Sequence, residues 1–236
     1  MDHLHSTTTE HRKGKHLSYE ERVIIQTRLK DGWNPNRIAR EIGCAPNTVR
    51  NEIKRVLGRS IEDRPSSIDD RTEFGHWEAD QVIGSKSDND DALLTMIKRK
   101  TREYWMIRVS GRDLNGVMEA LREVRCQYSE HWDDIFETIT TDNGSEFSLL
   151  SGLEELSKTL VYFAHPYTSC EKGSVERHNG LIRRFIPKGR RIDSYSDEQI
   201  CQIEVWCNSL PRKILGYSTP DELFEDELSK IYTIAA

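Results

Sequence analysis

The 236-residue sequence predicts a two-part chain: a small all-α helix-turn-helix head, then an α/β unit with helices packed on a mixed sheet. Three observations predict it. Between residues 18 and 56, helix caps alternate with short apolar stretches of helical spacing. From residue 76, three runs rich in Val, Ile, Trp and Tyr follow one another across turn-prone links. Further on, helical and strand-like stretches alternate, as crossovers between parallel strands require.

In the head, Ser18-Tyr19-Glu20-Glu21 fits a capping box, with Ser18 as N-cap and Glu21 at the third helical position. Val23, Ile24, Ile25 and Leu29 give that helix its apolar face, and Asp31-Gly32 stops it. Asn34-Pro35 opens a second helix, with Ile38, Ala39 and Ile42 inward and Gly43 at its end. A third helix runs from Pro46 to about Val56, with Val49, Ile53 and Val56 inward. Two short helices across a tight Gly-containing turn form the helix-turn-helix pattern, whose last helix enters the DNA major groove. The outward residues of that helix are Asn47, Arg50, Asn51 and Lys54. Asn pairs with adenine and Arg with guanine, so these types suit base reading. A plain three-helix bundle with a polar face is the other reading of the same pattern.

The expected boundaries are a flexible polar tail over 1–16, the head over 17–57, a linker over 58–74 rich in Pro, Ser and charge, and the larger unit over 75–236. In that unit, strands are expected at His76–Ile83, Ala92–Lys98 and Tyr104–Val109. Val117, Ala120, Leu121, Val124 and Tyr128 trace an amphipathic helix. A strand at Ile135–Thr141, a helix at about Ser145–Leu156, a strand at Leu160–Ala164 and a helix at Ser174–Phe185 complete the order. Trp77, Trp105, Trp132 and Trp206 are read as core anchors.

Charge is unevenly spread. The chain carries −6 overall, yet residues 1–60 hold 12 Lys/Arg against 7 Asp/Glu, 98–112 hold 6 against 1, and 171–191 hold 7 against 2. Such segments clamp a polyanion locally, or are simply solvated faces. The richest apolar run, Ala92–Ile97, is far short of the ~20 residues a spanning helix needs. Five cysteines without C-x-x-C spacing and no apolar leader in the first sixteen residues give the expectation of a reduced, cytoplasmic protein.

Three carboxylates stand out by position. Asp80 lies in the first strand, Asp142 closes the fourth, and Glu176 falls in the first turn of the helix after a basic loop. Hard oxygen donors on separate elements suit magnesium, and a pair of such ions about 3.5–4 Å apart clamps an in-line displacement at phosphorus. Glu176, Asn179, Gly180 and Arg183 share a helix face, with Gly180 expected to permit close approach. His76 and Glu78 share the strand face of Asp80. Each feature also has an ordinary reading: Asp-Asn-Gly as a turn, Glu176 as a favourable charge at a helix start, His76 as a structural histidine.

Taken together, GHWEAD (75–80), ALLTMIKRKTREYW (92–105), ITTDNGSEF (139–147), YFAHPYTSCEKGSVERHNGLIRRFIPKG (162–189) and NSLPRKILGYSTPDELF (208–224) resemble the bacterial insertion-sequence transposases of the insertion sequence thirty family. WNPNRIAREIGCAPNTVRNEIKR is similar to that family's helix-turn-helix. The resemblance implies a ribonuclease H-like, integrase-type catalytic domain with Asp80, Asp142 and Glu176 as catalytic and metal-binding DDE residues. It implies two Mg2+ (or Mn2+) ions, and as partners the DNA of the element's terminal repeats, target DNA and further copies of the chain, in a bacterial, nucleoid-associated setting. Water would free a 3′-OH at the element end, and that 3′-OH would attack target DNA. Lys172, Arg177, Arg183 and Lys188 would contact phosphates. One departure stands out: only about twenty residues separate the head from GHWEAD, fewer than the family shows. The alternative is therefore a shortened, transposition-inactive DNA-binding regulator of the parent element.

Overall fold

The computed structural model describes residues 17–56, 59–85, 89–111, 114–142, 144, 147, 150–165 and 172–234. The tail expected over 1–16 lies outside them. The chain divides into two compact units, Met1–Leu57 and Gly58–Ala236.

The first unit holds α1 (Tyr19–Lys30), α2 (Pro35–Ile42) and α3 (Pro46–Val56). The capping box forms: Glu21 N–H donates to Ser18 Oγ at 3.2 Å, and Ser18 N–H to Glu21 Oε2 at 2.6 Å. Asn34 Oδ1 accepts from Arg37 N–H at 3.0 Å, and Gly43 ends α2 at φ 79°, a conformation that favours glycine. Ile25, Ile38, Ala39, Ile42 and Val49 form the small core. Trp33 takes the Arg37 guanidinium over its ring at 3.4 Å.

The second unit is a six-stranded mixed sheet with helices on it, as a ribonuclease H-like fold requires. Its strands are β1 (Arg59–Ser60), β2 (His76–Ile83), β3 (Ala92–Lys98), β4 (Tyr104–Val109), β5 (Thr138–Thr141) and β6 (Leu160–Phe163), in the order β1-β6-β5-β2-β3-β4. β2, β3 and β4 pair antiparallel, while β2, β5, β6 and β1 pair parallel. Around them lie α4 (Leu114–Tyr128), α5 (Trp132–Ile135), α6 (Leu153–Leu156), α7 (Gly173–Ile182), α8 (Asp197–Asn208) and α9 (Pro220–Ile234).

β3 is buried along its whole length, because its alternate side chains serve two cores. Leu94 and Met96 join Trp77, Val117, Leu121, Trp132 and Phe136 on one side. Leu93 and Ile97 join Tyr104, Val175, Ile182 and Ile200 on the other. Each fully buried Leu or Ile contributes about 1.5–3 kcal/mol by leaving water.

Several expectations are corrected. Residues 59–74, read as a linker, are built into the second unit. β1 pairs with β6, Ile68 is buried, and Arg64 donates to Thr140 Oγ1 at 3.1 Å. The fourth strand starts at Thr138 and not Ile135, because Trp132 and Ile135 point inward at helical spacing and Trp132 stacks on Phe136 at 4.0 Å. The helix expected over 145–156 is limited, among the described residues, to a 3-10 turn at Leu150–Gly152 and α6. α7 stops at Ile182, and a tight turn carries the chain on to Ile186. α8 and α9 were not anticipated, although both carry cap signals. Ser196 and Gln199 form a capping box, and Thr219 and Glu222 bond reciprocally at 3.2 and 2.9 Å.

Candidate metal and nucleic-acid site

β2 and β5 set the position of the two aspartates. In their parallel register Glu78 lies beside Thr140, so Asp80 and Asp142, each two residues on, fall next to one another at the strand ends. Gly144 N–H donates to Asp142 Oδ1 at 3.0 Å, closing the turn that follows the strand. Lys172 joins the pair. Its Nζ lies 3.4 Å from Asp80 Oδ1 and 3.2 Å from Asp142 Oδ2, with the lysine side chain almost wholly buried.

The second oxygen of Asp80 is held from α7. Asn179 Nδ2 donates to Asp80 Oδ2 at 2.7 Å, and the Tyr104 hydroxyl donates to Asn179 Oδ1 at 2.7 Å. Burial pushes the Asp80 carboxyl up, Lys172 opposes that rise, and Asp142 adds to it. Burial works against the Lys172 ammonium, yet the two aspartates outweigh it and keep its pKa above the usual lysine value.

Glu176 is exposed on the first turn of α7. Its pKa is raised by partial burial and by Asp80, Glu78 and Asp142, against the opposing pull of Lys172. The three carboxylates therefore share one electrostatic neighbourhood, while only Asp80 and Asp142 are joined through a cation. Among the described residues, no three His, Cys, Asp or Glu side chains group as a ready metal cluster.

Glu78, noted in sequence only for its strand face, fixes the helix that carries Glu176. Its Oε2 accepts from the N–H groups of Ser174 and Val175, each at 3.0 Å, and its Oε1 takes Arg99 at 2.8 Å. A fully buried carboxylate thus caps the positive end of α7. The alternation His76, Glu78, Asp80 was the available signal for it. His76 is structural: its Nδ1 pairs with Thr138 Oγ1 at 3.0 Å and its Nε2 with Glu73 at 2.9 Å.

Of the expected phosphate contacts, Arg177 and Lys188 are exposed. Arg183 is committed to the carbonyls of Ile83 at 3.0 Å and Ile186 at 3.4 Å. Gly180 is exposed, and a Cβ there would meet nothing within 4 Å, so no close approach depends on it. Glycines that do permit one are Gly84, where a Cβ would lie 2.2 Å from the Arg190 carbonyl, and Gly75, where it would lie 2.3 Å from the Glu137 side chain. The basic segment 98–112 is largely interior and not a solvated face. Lys98, Arg99 and Arg102 are buried, and Arg108 pairs with Asp91 and Asp197. Lys98 lies over the rings of Phe74 at 3.7 Å and Trp77 at 4.6 Å.

On α3, Asn47, Arg50 and Asn51 are exposed. Arg50 donates to Asn47 Oδ1 and to Asn36 Oδ1, both at 2.9 Å, so the guanidinium is pre-set on the helix surface. The Lys54 side chain lies outside the described residues.

Comparison with known proteins adds the family context. A helix-turn-helix domain model matches residues 13–56. The probable transposase for insertion-like sequence element IS1161 of Streptococcus salivarius is 39% identical over 178 residues, 75% of this chain and 49% of that protein. The chain is related in sequence to several insertion-sequence transposases. A second relative, the transposase for insertion sequence element IS4351 of Bacteroides fragilis, is 36% identical over 180 residues, 74% of this chain and 52% of that protein. The transposase InsI for insertion sequence element IS30A of Escherichia coli (strain K12) is 31% identical over 176 residues, 75% of this chain and 44% of that protein. The chain thus spans about half the length of the curated relatives it matches. No helix among the described residues is long and apolar enough to cross a membrane.

Proposed function

We propose that the chain is a DNA transposase of the insertion sequence thirty type, acting by metal-dependent strand cleavage and strand transfer, with Asp80, Asp142 and Glu176 as its carboxylate set. The single ammonium shared by Asp80 and Asp142 carries the reading: two carboxylates on adjacent parallel strands lie close enough for one cation to span them. The donors are all oxygen, and magnesium needs only one or two protein carboxylates, keeping its other places for water and phosphate. Asp80 and Asp142 would hold Mg2+ or Mn2+, with Glu176 beside them for a second ion. Bound there, a metal supplies neutralisation of phosphate charge and activation of a water or 3′-OH.

The protein's own contribution is positional, as in-line phosphoryl transfer demands. Tyr104 and Asn179 fix the Asp80 carboxylate, Gly144 N–H fixes that of Asp142, and Glu78 anchors the turn bearing Glu176. Arg177 and Lys188, both exposed, with Arg183 adding charge, attract the DNA backbone, while Lys172 is engaged by the two aspartates. Asn47, Arg50, Asn51 and Lys54 read bases of the element's terminal repeats in the major groove. Synapsis of two element ends makes the working form an oligomer on DNA.

The short span between α3 and β2 favours a second reading, a DNA-binding regulator of the parent element that does not transpose. One assay separates the two. A labelled duplex carrying the flanks of this gene is incubated with the protein in Mg2+ or in chelator, together with a second DNA as target. Mg2+-dependent nicking at a defined end and joining to the target support the transposase. Cleavage without joining reduces the reading to a nuclease, and specific binding without any cleavage replaces it with the regulator.

A further inference from the structure

Beside the first turn of α7, four arginines gather without a carboxylate of their own. Among the described residues, Arg71, Arg102, Arg177 and Arg212 form no ion pair, unlike Arg99, which takes Glu78 and Asp69. They come from separate stretches: Arg71 after the 3-10 turn at Ser66–Asp70, Arg102 in the β3–β4 turn, Arg177 on α7 and Arg212 after α8.

Direct contacts tie two of them to α7, and Arg71 lies near enough to Arg102 to act on its charge. Arg102 Nη1 donates to Ser174 Oγ at 2.6 Å. Arg212 Nη1 donates to His178 Nε2, and His178 Nδ1 in turn donates to the Ser174 carbonyl at 2.7 Å. That arrangement requires a neutral imidazole, and burial together with Arg212, Arg102 and Arg177 holds the His178 pKa down at about 4. Burial and the neighbouring guanidinium groups, Arg71 foremost among them, also lower Arg102 to about 10.

The cluster is under-satisfied. Arg71 Nε and Arg212 Nε are buried with no hydrogen-bond partner. Arg102 is 6% exposed, and Arg71 and Arg102 both stand at positive φ, 59° and 65°, where non-glycine residues are uncommon. Glu78, the carboxylate facing Arg102, has both oxygens taken by Arg99 and the N–H groups of Ser174 and Val175. Burying cationic groups without a counter-charge is costly, and a guanidinium's fork matches an oxyanion. Arg102 is buried, Arg71 and Arg212 are half-buried and Arg177 is exposed, so the cluster runs from the interior to the surface.

We infer that Arg71, Arg102, Arg177 and Arg212 form a seat for a phosphate-type oxyanion, filled in use by a backbone phosphate of bound DNA. The DNA assignment rests on the function proposed above; the oxyanion seat does not.

Two measurements on the full chain test it. Thermal unfolding is followed in inorganic phosphate against chloride at matched ionic strength. Duplex affinity is followed by fluorescence anisotropy across a salt series. Both use wild type, Arg71→Gln, Arg212→Gln and, as a control outside the cluster, Arg122→Gln, an exposed arginine of α4. Arg71 has no hydrogen-bond partner among the described residues, so its replacement tests the seat even if loss of Arg212 perturbs folding. The expected result is a phosphate-specific rise in Tm for wild type and Arg122→Gln, reduced in both cluster variants. The slope of log affinity against log salt should fall by about one for each cluster variant. No phosphate-specific rise in wild type overturns the seat, whatever the DNA result. A rise lost in the variants with an unchanged duplex slope overturns the DNA assignment and leaves free phosphate as the occupant.

Discussion

Asn179 Nδ2 donates to Asp80 Oδ2 at 2.7 Å, so a residue of α7 fixes the rotation of a carboxylate on β2. Hydrogen bonds to charged groups contribute about 1.5–3 kcal/mol. Asn179→Ala is therefore expected to slow strand cleavage roughly 10- to 100-fold. Duplex affinity and Tm should change little, because Asn179 is only half-buried. Single-turnover kinetics beside anisotropy check this. An equal loss in affinity would reassign Asn179 to DNA binding.

Glu78→Gln tests the anchor of α7. The substitution leaves the buried Arg99 without its main charge partner, a change that costs about 3–5 kcal/mol. A marked fall in the Tm of the second unit is expected. An unchanged Tm would show that the ion pair is dispensable.

Lys172 holds Asp80 and Asp142 together where a metal ion is proposed to bind. Cation and ammonium then compete for the same oxygens. Lys172→Ala is expected to lower the Tm in chelator and to tighten Mn2+ binding, by about tenfold for each 1.4 kcal/mol of competition removed. Calorimetric titration with Mn2+ reads the affinity directly. Weaker Mn2+ binding in the variant would contradict the competition.

Glu204 gives a pH prediction. Burial raises its carboxyl to about 7, against the lowering effect of the Met106 N–H. The folded state therefore binds its proton more tightly than the unfolded chain does. Stability from this group is full below about pH 4.5 and is lost as pH rises toward 7. His178, held at about 4, acts oppositely up to about pH 6.5, which masks the trend in acid. Glu103, raised to about 8 chiefly by burial, extends the loss upward. Burial also lowers Lys98, which adds stability as pH rises and opposes the two carboxyls in the wild type. The test is therefore the difference between two proteins: from about pH 5 to 7 the Tm of Glu204→Gln should rise relative to that of wild type. Thermal melts of both check this, and a difference that stays constant or falls would contradict the assignment.

Much of this architecture is legible in local sequence signals. Ser18/Glu21, Asn34-Pro35 and Gly43 mark the helix ends of the head because caps are short-range chemistry. Alternation along β2 places Glu78 and Asp80 on one face. What escapes the sequence is long-range. β1 becomes a strand only because β6 offers it an edge, and Lys98 and Arg102 look like solvent charges until the sheet buries them. Lys172 illustrates the same limit: its basic loop suggested phosphate, but folding brings it between two aspartates. α8 and α9 could have been read from Ser196/Gln199 and Thr219/Glu222, but their acidic segment hides the caps.

The most direct test of the central claim separates chemistry from binding in one variant. Wild type and Asp142→Ala are compared for Mg2+-dependent cleavage of a duplex bearing the gene's own flanks, with affinity for that duplex measured in parallel. The account predicts that cleavage is abolished in Asp142→Ala while affinity stays close to that of wild type. Cleavage by Asp142→Ala at the wild-type rate would contradict it, because the aspartate pair would then take no part in the reaction.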